Sequence, residues 1–183
     1  MKRTVFAIAI AALTFTAFTH KADKPTEGKI NWMSIQDAEK AMKDNPKKII
    51  IDCYTDWCGW CKVMDSKTFT DPWIVSYINE NFYAVKFNAE TRDEIEFNGK
   101  KYSNANPAGK KGGHQLAYLW LKGRLGYPSF SFLDEKLEII TTVAGYHKPN
   151  QFEPVLKYVA TDAYEDETYD SFAKNFKGTL PAE

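Results

Sequence analysis

Cysteine is scarce in this chain. The 183 residues hold three, Cys53, Cys58 and Cys61. Three thiols are too few for a secreted disulfide scaffold, and a chain of this length buries a core without such staples. Histidine is equally sparse. His20, His114 and His147 have no paired spacing, which argues against a tetrahedral zinc site with its four ligands. Net charge is missing too: 24 basic side chains balance 24 acidic ones. No basic stripe appears, which argues against a nucleic-acid partner. No internal repeat or low-complexity tract is visible. The longest apolar run, Val5 to Phe18, is short for a membrane span.

That run follows Lys2 and Arg3 and is broken by Lys21, Asp23 and Lys24. Residues 1–22 therefore read as a secretory signal peptide, and the mature chain as exported, periplasmic or otherwise extracytoplasmic. The cleavage site is unmarked, because Phe15 spoils a cut after Ala17 and His20 spoils one after Ala22. An uncleaved membrane anchor is the alternative. No cysteine lies near the end of the run to carry a lipid. Loss of Lys2, Arg3 and Lys21 would leave the mature chain mildly acidic. Residues 23–31, with Pro25 and Gly28, read as a linker to a domain over 32–160.

Within that domain, Ser34 with Asp37 three residues on predicts a helix start. Ile35, Ala38, Ala41 and Met42 share one face of that helix, and Asn45-Pro46 ends it. Lys48 to Tyr54 is near-continuously apolar, as in a central strand with both faces covered. A helix follows from the cysteine motif to about Ser66. Asp71-Pro72 starts another, with Ile74, Val75 and Ile78 as its buried side. Phe82 to Asn88 reads as a strand parallel to the first. Residues 91–124 interrupt the pattern as an insert. It holds an Asn98-Gly99 hairpin turn, a glycine- and lysine-rich loop, and a helix over 114–122 with Leu116, Leu119 and Trp120 at helical spacing. The insert has the place to shape substrate access. Ser129–Leu133 and Leu137–Val143 form an antiparallel hairpin. A helix over 150–160 carries Phe152, Val155, Leu156 and Val159 on one face. The extension 161–183 has Tyr169, Phe172 and Phe176 spaced for a helix docked on the domain.

The chemistry concentrates in Trp57-Cys58-Gly59-Trp60-Cys61-Lys62, directly after the apolar strand. A Cys-x-x-Cys in a strand–helix–strand pattern is the redox signature. Half of a zinc site and a structural disulfide are the competing readings. A thiolate at a helix start is stabilised by unpaired N–H groups and by the helix dipole. Cys58 is expected to be exposed as the attacking thiolate, with Cys61 one turn in and more buried. Lys62 favours the thiolate modestly, or is a solvated helix residue, and Asp56 opposes it.

The segment from Asp52 to Lys62 resembles the active-site segment of the thioredoxin superfamily. More narrowly, it is similar to exported thioredoxin-like proteins related to the C-terminal domain of the thiol reductase DsbD. Met64, Thr68-Phe69-Thr70-Asp71-Pro72, the strand ending in Phe87-Asn88, and Gly126-Tyr127-Pro128-Ser129-Phe130 extend the likeness over about residues 30–160. The resemblance implies an α/β thioredoxin fold: a central mixed sheet flanked by helices, with the insert before the cis-proline strand and a C-terminal helical extension. It further implies a cis Tyr127–Pro128 bond facing the cysteines, where sequence alone favours trans. It places Asp52 beneath the dithiol as proton acceptor for Cys61, with burial raising its pKa, and Lys86 near that acid. A strand-end cap for Asp52 and a solvated residue for Lys86 are the plainer readings.

Trp57, Gly59, Trp60, Tyr127 and Pro128 are the expected substrate-contacting residues. Trp60 departs from thioredoxin itself, which has proline there, and leaves the redox potential undecided. Cys53 should face away from Asp52 as a buried structural thiol, a regulatory disulfide with Cys58 being the sharper alternative. His114 and His147 read as surface or capping residues. The implied function is reduction of protein disulfides, with a thiol electron donor such as a membrane reductase and no metal or organic cofactor. Thiol oxidation or isomerisation by the same fold, and a binding or chaperone module without redox turnover, are the alternatives.

Overall fold

A computed structural model describes residues 28–104 and 112–181. The leader 1–22 and the start of the linker therefore lie outside the described residues. The linker's last residues belong to the domain, because Ile30 is buried in the core. Asn31 N–H donates to Asn79 Oδ1 at 2.9 Å, and Trp32–Met33 forms a short strand, β1. An isoleucine between polar neighbours gives no periodicity, so the sequence carries no sign of this docking.

Ser34 caps helix α1 (Ile35–Asp44), its Oγ accepting from Asp37 N–H. Strand β2 (Ile49–Tyr54) follows. Helices α2 (Gly59–Lys67) and α3 (Pro72–Asn81) then lead to β3 (Tyr83–Asn88). The insert supplies a separate hairpin, β4 (Ile95–Phe97) and β5 (Lys100–Tyr102), and helix α4 (Gln115–Trp120). Strands β6 (Ser129–Leu133) and β7 (Ile139–Ala144) precede helix α5 (Pro149–Ala160). Helix α6 (Tyr169–Asn175) is the last helix among the described residues.

The main sheet has the order β1-β3-β2-β6-β7. β1 and β2 run parallel to β3, whereas β6 is antiparallel to β2 and to β7. The sheet is therefore mixed, and β2 is its centre, as its unbroken apolar run predicts. Alternation along β2 divides the core in two. Ile50 packs with Met64 of α2, Ile74, Val75 and Ile78 of α3, and Phe152, Leu156 and Val159 of α5. Ile49, Ile51 and Cys53 pack on the opposite face with Ala38 of α1 and Leu116 and Trp120 of α4.

The insert is thus core rather than only a lip of the site. Phe97 and Trp120 lie in that second cluster, and Glu39 of α1 accepts from Asn98 N–H at 2.7 Å. Asn98 and Gly99, with φ of 48° and 70°, make the turn their sequence predicts. Leu119 is exposed, so the apolar stripe of α4 is completed by Ala117. The tail docks as expected: Tyr158 of α5 makes ring contacts with Tyr169 and Phe172. Among the described residues no helix is long and apolar enough to cross a membrane.

Candidate active site

The end of β2 delivers the cysteine motif. Cys58 is the N-cap of α2, with extended φ and ψ, and its Sγ accepts from Cys61 N–H at 3.0 Å. Cys58 and Cys61 form a disulfide. Cys58 was expected to be exposed, yet its accessibility is 4%, hardly different from the 3% of Cys61. The S–S bond and the Cys61 hydrogen bond hold its sulfur against the first turn of the helix. The exposed surface belongs instead to Trp57 and Trp60, at 68% and 61%. Gly59 lies on the same turn, where an added Cβ would meet open space.

Each tryptophan has a partner from a distant segment. Trp57 Nε1 donates to Glu90 Oε2 at 2.9 Å, and its ring meets Tyr127 edge-on at 6.1 Å. Trp60 stacks on Tyr146 at 5.4 Å. Tyr146 gives no signal in the sequence; it reaches the site through the turn after β7. Gly145 there has φ of 92°, which favours glycine, and its N–H donates to Pro128 O at 2.8 Å. The Tyr127–Pro128 bond is cis. Trp60, Tyr127, Pro128, Gly145 and Tyr146 line a hollow of about 350 Å³. A larger hollow, about 760 Å³, lies between α1 and two hairpin turns and includes none of these residues.

Asp52 lies on the sheet face that α2 covers, and Cys53 on the other. Asp52 is 1% accessible. Its neighbour across the parallel ladder is Lys86, so both side chains leave the same face. Lys86 Nζ donates to Asp52 Oδ2 at 2.6 Å and also to Asp65 of α2. It sits over the rings of Trp32, Tyr54 and Phe69. The Asp52 Oδ1 atom has no hydrogen-bond partner among the described residues. Burial raises the Asp52 pKa to about 6, against the pull of Lys86. Burial would lower that of Lys86, but its two carboxylates outweigh it and leave it raised. The less buried partner is net stabilised as an ion; the deeply buried one is not. The one sequence sign of Asp65 is its place four residues after Cys61 on the same helix.

The remaining candidates take quieter places. Lys62 is exposed and makes no ion pair among the described residues. Cys53 is a free, buried thiol, pushed well above the ordinary range by burial and then by Asp52. Such a thiol is unreactive. His114 is fully buried and caps α4, its Nδ1 accepting from Leu116 N–H. His147 stacks on Phe152. Burial pushes the Tyr127 phenol up to about 12, so it stays protonated.

A family model described as a thioredoxin-like domain matches residues 35–160. The chain belongs to that family. Among solved structures, the thioredoxin-like domain is similar to a thioredoxin-fold protein from Helicobacter pylori, with 18% identity and a TM-score of 0.54 over 71% of this chain and 80% of that one. A structure called DsbH oxidoreductase gives 14% and 0.55 over 78% and 92%. At these identities the likeness shows the fold. Among curated proteins, an uncharacterised protein of Caenorhabditis elegans is 33% identical over 61 residues, 33% of this chain and 8% of that protein. Spermatogenesis-associated protein 20 of Rattus norvegicus is 31% identical over 83 residues, 45% and 10%. The thiol:disulfide interchange protein DsbD of Pectobacterium atrosepticum is 33% identical over 46 residues, 25% and 8%. The chain spans a tenth or less of the length of these curated relatives.

Proposed function

We propose that this protein is an extracytoplasmic thiol–disulfide oxidoreductase that reduces protein disulfides with the Cys58–Cys61 dithiol. The observation that carries the reading is the disulfide at the start of α2, on the face that also buries Asp52 with one unpartnered oxygen. In the reduced protein the Cys58 thiolate attacks one sulfur of the substrate disulfide. A Cys58–substrate disulfide forms and the other substrate sulfur leaves as a thiolate. Cys61, its proton taken by Asp52, attacks Cys58 Sγ. The Cys58–Cys61 disulfide closes and the second substrate thiol departs. Two electrons pass to the substrate, and an external thiol donor, such as a membrane reductase, returns them. The cycle uses no metal or organic cofactor and no nucleic acid.

Asp52 supports the reducing direction, because a base near neutral pH speeds release of the substrate from the mixed disulfide. The match to a thiol:disulfide interchange protein supports thiol–disulfide exchange as the chemistry. The basic start and apolar run of residues 2–18 support export. Two measurements test the proposal. Cys61→Ser should accumulate mixed disulfides with host proteins, whereas Cys58→Ser should capture none and lose exchange. The equilibrium potential of the dithiol against glutathione should lie well below about −120 mV, the region of strong oxidants. A value there would assign the protein to thiol oxidation instead. The exposed Trp57 and Trp60 favour, as a second reading, a protein-binding module; full activity of a Cys58→Ala/Cys61→Ala variant in cells would select it.

A further inference from the structure

We propose that His114 is a proton-sensitive latch between the insert and the segment after β3: its uncharged ring fastens the start of α4, and acid releases it. The proposal does not depend on the disulfide chemistry. His114 is fully buried, and every polar atom it offers is used. Its N–H donates to Ala89 O at 2.7 Å, and its carbonyl accepts from Tyr118 N–H. Its Nδ1 accepts from Leu116 N–H at 3.1 Å, and its Nε2 lies 3.2 Å from Asp93 O. The ring meets Phe87 of β3 edge-on at 5.3 Å. One side chain thus joins α4, β3 and the chain beyond β3. That chain also carries Glu90, the acceptor for Trp57 Nε1, so the latch borders the cysteine site.

One proton decides whether this arrangement holds. Nδ1 accepts, so the proton of the neutral ring is on Nε2, where it donates to the Asp93 carbonyl. A second proton has only Nδ1 to go to, against the Leu116 N–H. Two donors would then face each other in a site closed to water, and a charge would be buried with them. The surroundings do not repay that cost. β3 presents the Phe87 ring, and β5 the Tyr102 carbonyl. The segment after β3 presents the carbonyl and the carboxylate of Asp93, the one charged side chain that acts on the ring among the described residues. That carboxylate already accepts from Thr91 Oγ1. Burial outweighs these groups and holds the imidazole below its ordinary range. Such a ring stabilises the fold above ~6.5, the unfolded value, and the contribution is lost as pH falls below it. Asp52 titrates in the same interval with the opposite sign, so it does not imitate this loss.

The test follows the oxidised full-length protein by NMR between pH 8 and pH 4. At pH 8 the nitrogen resonances of the His114 ring should carry the signature of a proton on Nε2 and a bare Nδ1. Amide hydrogen exchange, corrected for its intrinsic pH dependence, gives the opening constants of Leu116 and Tyr118. These should rise by up to about tenfold per pH unit below ~6.5, as loss of one buried neutral imidazole requires. Amides of β2 should not follow. His114→Asn places an amide oxygen where Nδ1 stood and does not titrate, so its Leu116 and Tyr118 constants should stay flat over the same range. A proton on Nδ1 at pH 8 would overturn the latch. So would unchanged protection of Leu116 once the ring is charged, or an equal rise at β2, which marks global unfolding. The same acid-dependent opening in His114→Asn would also overturn it. The ring signature and the wild-type exchange decide the matter even where the variant does not fold.

Discussion

At the scale of single residues, Asp52 bears the most physical tension. Folding removes it from water and leaves Oδ1 unpartnered, so its pKa of about 6 lies above the ordinary 3.8. A raised carboxyl pKa means that folding favours the protonated form. That contribution is complete below about pH 4 and is lost as pH rises through 6. The interval corresponds to about 3 kcal/mol. The stability of Asp52→Asn relative to the wild type should therefore improve by up to that amount between pH 4 and pH 8. Denaturant midpoints of the oxidised proteins at the two pH values measure it, and a constant difference would refute the assignment. In the wild type, resolution of a Cys58 mixed disulfide should accelerate with a midpoint near pH 6. The variant should lack that inflection. Lys86 moderates the effect, because its ammonium holds Asp52 and Asp65 together.

At the scale of elements, helix ends position the site. α2 begins at the cysteine that caps it, and α3 begins at Asp71, whose Oδ1 accepts from two backbone N–H groups. Asp71→Ala should cost about 1 kcal/mol, read as a lower denaturation midpoint, with the dithiol chemistry intact. α5 poses a different problem. Glu153 is fully buried in it, yet the opposing groups are Thr179 N–H and Oγ1 and Leu180 N–H, not a cation. The carboxylate pins the last described turn of the tail to the domain. Glu153→Ala removes charge-assisted hydrogen bonds and should cost about 2–3 kcal/mol or more. The segment after α6 should then become cleavable by trypsin at Lys177 in the native state. Unchanged resistance would mean that Phe172 and its aromatic neighbours hold the tail without the carboxylate.

At the scale of the whole molecule, one sheet separates chemistry from support. The dithiol helix, Asp52, Lys86 and the α5 aromatics occupy one face. α1, α4 and the insert hairpin fill the other. Trp120 is the largest fully buried side chain there, in edge contact with Phe87 and Phe97. Trp120→Ala should destabilise by about 3–5 kcal/mol. Exchange rate per folded molecule should stay near that of the wild type, because the sheet lies between the cavity and the cysteines. A large drop in rate with the fold retained, judged by circular dichroism and thiol exchange, would mean that the insert supports the site directly.

The chain by itself determined whatever depends on local spacing. Ser34, Asp71-Pro72 and Asn98-Gly99 act through backbone groups a few residues away, so their helices and turn were legible. The continuous apolar run of β2 announced the centre of the sheet, and alternation put Asp52 and Cys53 on opposite faces. The Cys58–Cys61 pair was legible for the same reason, whereas the place of Asp52 beneath it came from the family resemblance. Only the tertiary structure decided which side chains from remote segments meet them. Tyr146 stands on Trp60, Glu90 holds Trp57, Asp65 shares Lys86, and Ile30 closes the core. None of these contacts has a periodic or neighbour signal, because each depends on where crossovers and turns return the chain. The accessibility of Cys58 belongs to the same class: at 4% in the disulfide form it reflects the packing around the helix start, which spacing along the chain does not report.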